Sequence, residues 1–342
     1  MNLFRLKYAL VFVCIAVMNL QAQNDFYLSL STIKAKPLSM ASAYTSVEDN
    51  LASAIYNPAS IGLFNGDKNF RVTFFLNPVA PVSAFRERYR EQAASQADET
   101  RSVWQDALVL FKGVIFTIKF LDIGFLFNEQ IIDPVLLSGQ KEFFSYYDFS
   151  ENISHSAIVH LRLAERVSLG ASTTLFMQQS GDQTQRGYGF SYGILMKPAA
   201  RMNVGISYHY LPRLMPDVRI PLEKMVDQTI NVGISYYPLS STTLSMDLRN
   251  LTEEKGKSVI ELRFGAEQRV FSLFALRGGY FKERFSDLEQ ISAGIGMIDA
   301  NLFFPRKSKL QHSPFVLNYA FVLERTKTAS AHWHVVTFNV VF

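Results

Sequence analysis

The chain has 342 residues, 48% of them hydrophobic, and a formal net charge of +4. That length and hydrophobic share fit one or two globular domains, or a single membrane barrel whose apolar residues face outward. The charges are scattered rather than gathered into a basic stripe, which gives no case for a nucleic-acid partner. The 29 Phe and 15 Tyr exceed what a compact core needs and suit aromatic girdles at two membrane interfaces.

Residues 1–22 read as a cleaved secretory leader. Arg5 and Lys7 form a short basic stretch, Tyr8 to Leu20 an apolar run, and Leu20-Gln21-Ala22 a small-residue cleavage site, so the mature chain is expected to begin at Gln23. The run of about 13 residues falls short of the roughly 20 of a helical span. The one cysteine, Cys14, lies within it and follows Val13 rather than a small residue, so lipidation is not expected. The mature chain then has no thiol for disulfides, metal sites or nucleophilic chemistry. The leader also carries two of the 34 basic residues and none of the 30 acidic ones, leaving a near-neutral chain.

Residues 23–67 hold no long alternating run and are rich in Ala, Ser and Asn. A first strand is expected near 68–77. Residues 82–110 then read as a helix, with Pro81 at a first helical position and Phe85, Tyr89, Ala93 and Ala97 at a spacing of four. Strands follow near 111–118 and 121–128, and after them a loop at 129–153 carrying Phe143, Phe144, Tyr146, Tyr147 and Phe149. An exposed aromatic loop of this kind is a candidate contact for a ligand or a protein partner. Phe85, Tyr89 and Trp104 are the corresponding candidates on the helix, as a lid or interfacial patch.

From residue 154 onward, segments of about ten residues alternate apolar and polar side chains at period two. Met202, Val204, Ile206, Tyr208 and Tyr210 share a face against Asn203, Gly205, Ser207 and His209. Leu244, Met246 and Leu248 likewise oppose Ser245, Asp247 and Arg249. The expected strands are 154–163, 166–177, 186–196, 201–210, 228–237, 242–250, 258–268, 272–282, 289–298, 313–323 and 332–342. With the first three this makes an even fourteen, and the last strand then descends to the periplasm. Short turns near 163–165, 198–200, 238–241 and 269–271 alternate with longer connections near 179–185, 211–227, 251–257 and 283–288, the rhythm of an outer-membrane barrel.

A soluble β-sandwich gives the same alternation with polar residues outside. Three features favour the inverted, lipid-facing arrangement: the leader, the absence of an α/β rhythm, and the chain's end. There His334, Val336, Phe338, Val340 and Phe342 share a face and the final residue is aromatic. This ending resembles the signal that barrel-assembly machinery reads, carried by Val336, Phe338, Val340 and Phe342.

The stretch Glu48-Asp49-Asn50-Leu51-Ala52-Ser53-Ala54-Ile55-Tyr56-Asn57-Pro58-Ala59-Ser60-Ile61-Gly62 resembles the N-terminal motif of the FadL-like outer-membrane family, which includes fatty-acid transporters and the PorV/PorQ proteins of type IX secretion. The lead-in from Pro37 to Val47 also resembles the family's, with Ser39, Ser42 and Ala43 in place of its usual glycines. The resemblance implies an all-β fold, a 14-stranded antiparallel transmembrane β-barrel whose residues 23–67 form an N-terminal plug and whose wall spans 68–342. Asp49, Tyr56, Asn57, Pro58 and Ala59 are the plug-motif positions. It implies one of two roles in the outer membrane of a Gram-negative bacterium. The first is passive transport of hydrophobic, fatty-acid-like small molecules; the second is a non-transporting barrel that binds cargo or partners in type IX secretion.

No enzymatic constellation stands out, and no cofactor is expected. Of the six histidines only His332 and His334 have ligand-like spacing, and with no third ligand nearby no metal site is expected. Gly187-Tyr188-Gly189 and Gly294-Ile295-Gly296 lack the helix and Lys-Ser/Thr pair of a phosphate loop and are expected to be lumen-facing positions where the plug approaches the wall. Asp247, Arg249, Glu261 and Arg263 are expected to form cross-strand charge pairs inside the barrel, the alternative being a charged pathway for a polar solute.

Overall fold

The structure, a computed structural model, describes residues 26–29, 32–62, 70–77, 110–130, 153–180, 183–210, 228–251, 253–254, 257–258, 260–270, 273–282, 289–299, 315–325, 330–338 and 340–341. The expected leader, residues 82–109 of the expected helix and the aromatic stretch at 143–149 lie outside these residues.

In chain order the elements are β1 (Phe26–Ser29), the one-turn helices α1 (Ala35–Leu38) and α2 (Leu51–Ala54), a 3₁₀ turn (Pro58–Ser60), β2 (Phe70–Leu76), β3 (Phe111–Ile118), β4 (Leu121–Gln130), β5 (Ile153–Ala164), β6 (Val167–Ser180) and β7 (Gln183–Ala199). There follow β8 (Met202–Tyr210), β9 (Gln228–Tyr236), β10 (Thr242–Arg249), the two-residue pieces β11 (Glu253–Glu254) and β12 (Lys257–Ser258), then β13 (Glu261–Val270), β14 (Phe274–Lys282), β15 (Glu289–Asp299) and β16 (Phe315–Arg325). The last strand comprises β17 (Ser330–Phe338) and β18 (Val340–Val341).

Each strand from β2 to β10 pairs antiparallel with its sequence neighbour, β10 pairs with β13, and the meander continues to β17. Val340 and Val341 then pair with Leu76 and Phe75 of β2, so the sheet returns to its start. Fourteen strands make this wall, each within about three residues of the expected span. The largest difference is at 179–185, expected as a loop. The β6–β7 ladder runs through it to Ser180 opposite Gln183. Backbone pairing continues there after the apolar alternation has ended, so the side-chain pattern does not mark it.

Burial follows the inverted pattern. Along β13, Glu261, Arg263 and Glu267 are buried at about 1% exposure, whereas the intervening Leu262 and Phe264 are 39% and 43% exposed. Tyr188, Tyr192, Leu244, Leu276 and Tyr280 are exposed in the same way on other strands. A wall that hides its charges and presents aliphatic and aromatic side chains outward is stable only against hydrocarbon, and a closed β-barrel leaves no unpaired edge there. The fold is an all-β transmembrane barrel.

Residues 32–62 lie against the inward faces of the wall. Nearly all are buried, including polar Thr32, Ser39, Ser42, Thr45, Ser46, Ser53, Asn57 and Ser60. Ile206, at the centre of β8, tests the outward assignment. Ile206→Arg is expected to destabilise the barrel by about 2–4 kcal/mol in reversible unfolding from lipid vesicles, against about 0.5 kcal/mol for an ordinary surface change.

Candidate functional site: the polar clamp on the N-terminal segment

Asp247 of β10 is the main anchor. The Tyr44 and Thr45 N–H groups and the Thr45 hydroxyl all donate to its Oδ2, at 2.9, 2.9 and 2.7 Å. Next on the same face, Arg249 approaches that oxygen at 3.6 Å and donates to the Ser42 carbonyl. Arg263 of β13 donates to the Ala41 carbonyl at 3.1 Å and pairs with Glu261 at 2.6 Å. Ala41 and Ser42 have φ of 49° and 58°. Two successive left-handed residues aim two carbonyls at two arginines, a conformation costing on the order of 1 kcal/mol or more per non-glycine residue and offset by charge-assisted hydrogen bonds. The four charges were expected to pair across strands, and the register sets Asp247 opposite Arg263 and Arg249 opposite Glu261. Bridges also join residues two apart on one strand, Asp247 with Arg249 and Glu261 with Arg263.

The Asn57-Pro58-Ala59 motif is a cap that docks on β6 and β7, farther round the same side of the wall. Asn57 Oδ1 accepts from the Ala59 N–H at 2.9 Å, capping the 3₁₀ turn, and Pro58 begins that turn. The Asn57 amide donates to the Thr45 carbonyl at 2.8 Å and to the Ile194 carbonyl of β7 at 3.2 Å. Ser168 of β6 donates to the Ala59 carbonyl at 2.9 Å. Wall glycines admit this approach: a Cβ on Gly170 would lie 2.2 Å from the Pro58 carbonyl carbon, and one on Gly205 2.2 Å from the Thr45 carbonyl oxygen. Of the glycines singled out in sequence, Gly294 faces Ser39 of the segment, whereas Gly296 faces Arg277 and Phe315 of the wall itself.

Asp49 and Tyr56 complete the motif. Asp49 pairs with Lys36 at 3.0 Å and accepts from the Tyr44 hydroxyl at 2.6 Å. Burial opposes its charge, but the Lys36 ammonium and the Tyr44 hydroxyl outweigh that and hold the carboxyl below the usual range. The Tyr44 hydroxyl is pushed well above its ordinary value by burial and by the Asp49 charge. Lys36 also lies 3.8 Å from Glu267, which Arg277 binds at 2.6 Å. Tyr56 stacks obliquely on Tyr44 and lies under the Arg249 guanidinium, 5.2 Å from its ring centre.

The first residues of the segment meet a second clamp that the sequence reading did not single out. Glu129 of β4 accepts from the Thr32 hydroxyl and from the Ile33 N–H at 3.1 Å, and Lys112 of β3 pairs with it at 3.3 Å. Thr337 of β17 donates to the Thr32 carbonyl at 2.7 Å and accepts from the Ala35 N–H at 3.2 Å. A charged Lys and Glu at inward positions of the first hairpin were the available signal. Around this clamp the interior is apolar: Phe75, Ile115, Leu126 and Ile158 pack on Ile33, Leu51 and Ile61, and Trp333 and Val335 on Ala35 and Leu38.

No protein-family model matches the chain, and neither does any curated protein. Among solved structures, CymD, a monoaromatic hydrocarbon channel, aligns at 10% identity and a TM-score of 0.47 over 92% of this chain and 96% of that one. A five-site mutant of the Rh. blastica porin aligns at 8% identity and a TM-score of 0.36 over 68% of this chain and 77% of that one.

Of the other residues singled out, Phe85, Tyr89, Trp104, Phe143, Phe144, Tyr146, Tyr147 and Phe342 lie outside the described residues, and of Val340 only the backbone is described. Val336 and Phe338 are half-buried on the last strand. His334 bonds through Nδ1 to the Tyr319 hydroxyl at 2.8 Å, and no cluster of three or more metal-ligating side chains is found among the described residues.

Asp247→Ala strands three donors and an arginine in the interior and is expected to destabilise the docked segment by about 3–5 kcal/mol, seen as new protease cleavage between residues 32 and 62 in a barrel that stays folded. Because the Asp49 carboxyl is depressed when folded, its contribution is full above its unfolded value of about 3.8 and is lost as pH falls below that. Docking measured by the same proteolysis is therefore expected to be flat from pH 5 to 8 and to weaken under about pH 4, with Asp49→Asn removing most of that acid sensitivity.

Proposed function

We propose that the protein is a bacterial outer-membrane barrel through which apolar small molecules cross passively, with the N-terminal segment as its plug. The observation that carries this reading is the division of the interior into two sectors. On the β8–β14 side the segment is held by charges at Asp247, Arg249, Arg263 and Glu267. On the β2–β5 side it meets Phe75, Ile115, Leu126 and Ile158 through Leu51 and Ile61. Apolar ligands are held by contact area rather than by directed bonds, so this cluster, lying beside the Lys112–Glu129 pair, offers the interior's largest apolar lining among the described residues. A fatty-acid-like solute is what the family resemblance adds. No enzymatic step is part of this reading. The apolar ending with Val336, Phe338, Val340 and Phe342 serves recognition by the barrel-assembly machinery.

The Asp247 clamp favours a second reading. A segment pinned by three donors to one carboxylate is suited to a permanent seal, as in a PorV/PorQ-like barrel that binds cargo or partners in type IX secretion. In that case Phe143, Phe144, Tyr146 and Tyr147, with Phe85, Tyr89 and Trp104, are the contacts to test.

Native mass spectrometry of the protein extracted from its own membrane in mild detergent separates the two. Lipids or hydrocarbons released at a fixed ratio are expected for the carrier, and Ile115→Asp is expected to lower that occupancy at least about tenfold, since a charge in an apolar site costs more than about 1.4 kcal/mol. A stoichiometric protein partner on an empty barrel establishes the second reading instead.

A further inference from the structure

Three hairpins in succession, β3–β4, β5–β6 and β7–β8, close at the same end of the barrel through two-residue turns. These are Lys119-Phe120 between Ile118 and Leu121, Glu165-Arg166 between Ala164 and Val167, and Ala200-Arg201 between Ala199 and Met202. This is the end of the short turns, which face the periplasm in an outer-membrane barrel. Each turn carries one cation, and Lys119, Arg166 and Arg201 are all exposed. Other basic residues at this end are engaged: Arg162 lies 3.5 Å from Asp122, Lys197 2.7 Å from Glu48 and Arg269 3.7 Å from Glu267. Among the described residues, no carboxylate lies within ion-pair distance of Lys119, Arg166 or Arg201, and Glu165 is the one acid in the three turns.

The turns are held in place. Lys119 has a φ of 50°, a left-handed conformation that glycine or asparagine adopts at less cost than lysine. Arg162 secures it by donating to the Lys119 carbonyl at 2.9 Å. Arg201 is braced by the next turn along the wall, where its Nη1 donates to the Pro238 carbonyl at 3.0 Å. The apolar neighbours fix the depth of these cations. Phe120 and Leu163 are each 58% exposed, and Leu239 of the next turn is 62% exposed. The turns therefore straddle the boundary where hydrocarbon gives way to headgroups, and lysine and arginine stems reach across such a boundary to keep their charges wet. Neighbouring hairpins are two strands, about 10 Å, apart, so the cations form a row. Residues 238–241 of the β9–β10 turn carry no charge, and the row ends there.

We propose that Lys119, Arg166 and Arg201 form a binding patch for anionic phospholipid headgroups of the periplasmic leaflet, with Phe120 and Leu163 set among the first acyl carbons. A phosphate diester supplies the acceptors and the negative charge that the three cations lack within the chain. A cation beside a negatively charged bilayer surface gains roughly fivefold in binding. The leaflet follows from the outer-membrane reading; the patch itself is independent of what the barrel carries.

The full chain, purified in mild detergent and supplied with phosphatidylglycerol and phosphatidylcholine in equal amounts, is weighed by native mass spectrometry. The folded barrel is expected to retain phosphatidylglycerol in preference. Lys119→Gln, Arg166→Gln and Arg201→Gln together are expected to lower the ratio of the two lipids at least about tenfold. Arg186→Gln, Lys282→Gln and Arg325→Gln remove the same charge at the opposite end of the barrel, beyond the screening length, and are expected to leave the ratio within about twofold. Heat-modifiable migration on a gel shows that each variant keeps a folded barrel. An unchanged ratio in the folded patch variant, or an equal fall in the opposite-end variant, overturns the patch. So does an acidic protein that copurifies with the wild type and is lost from the patch variant while the lipid ratio holds. A wild-type chain that gives no heat-modifiable barrel defeats the outer-membrane reading itself, and the leaflet assignment with it.

Discussion

A chain that crosses a bilayer as a barrel has to satisfy every backbone and side-chain polar group from within, because hydrocarbon offers no partner. The wall meets this for its own backbone by closing on itself. The inward side chains are a separate problem, since a closed fourteen-stranded wall encloses more space than they fill. Residues 32–62 solve it by bringing amides, hydroxyls and carbonyls to charges already fixed on the strands. Asp247 takes two backbone N–H groups and a hydroxyl, while Arg249 and Arg263 take two carbonyls.

The charges on the wall are therefore only half of the design. Asp247 is held by Arg249 and Arg263 by Glu261, each two residues along its own strand, while Arg277 reaches Glu267 and Lys112 reaches Glu129 across strands; Asp247, Arg249, Arg263 and Glu129 direct further hydrogen bonds to the segment. This explains why residues as short as Ser, Thr and Ala dominate the segment, and why the wall carries glycine at Gly170 and Gly205 where the backbone of the segment arrives. Asn57 fits the same scheme. It caps its own turn and ties that turn both to Thr45 and to β7.

The interior is not uniform. The side built from β8 to β14 is held by directed, charge-assisted bonds, which are specific in geometry and costly to break singly. The side built from β2 to β5, with the last strand, adds an apolar contact surface to the bonds of Glu129, Lys112 and Thr337. Aliphatic and aromatic surfaces slide and exchange at lower cost than buried ion pairs, and among the described residues the wall's closure by Val340 and Val341 on β2 lies on this side.

Much of the wall was legible in the sequence. Strand position and facing follow from period-two alternation such as that of Met202 to Tyr210, because the two faces of a barrel strand meet media of opposite polarity and leave that contrast in every residue. The Asn57-Pro58-Ala59 motif was visible too, as local turn chemistry. What the sequence did not determine is which distant groups meet. Asp247 looked like a member of a cross-strand charge pair, and only the folded chain brings Tyr44 and Thr45 to it across some 200 positions. Lys112, Glu129 and Thr337 carried no signal beyond being polar on an inward face. The closure was equally invisible, since its strand register depends on the stagger accumulated around the whole barrel rather than on any local pattern. The sequence by itself determined the alternation, and hence a lipid-facing wall. The tertiary structure decided the clamp and the closure, because both depend on distances between residues far apart in the chain.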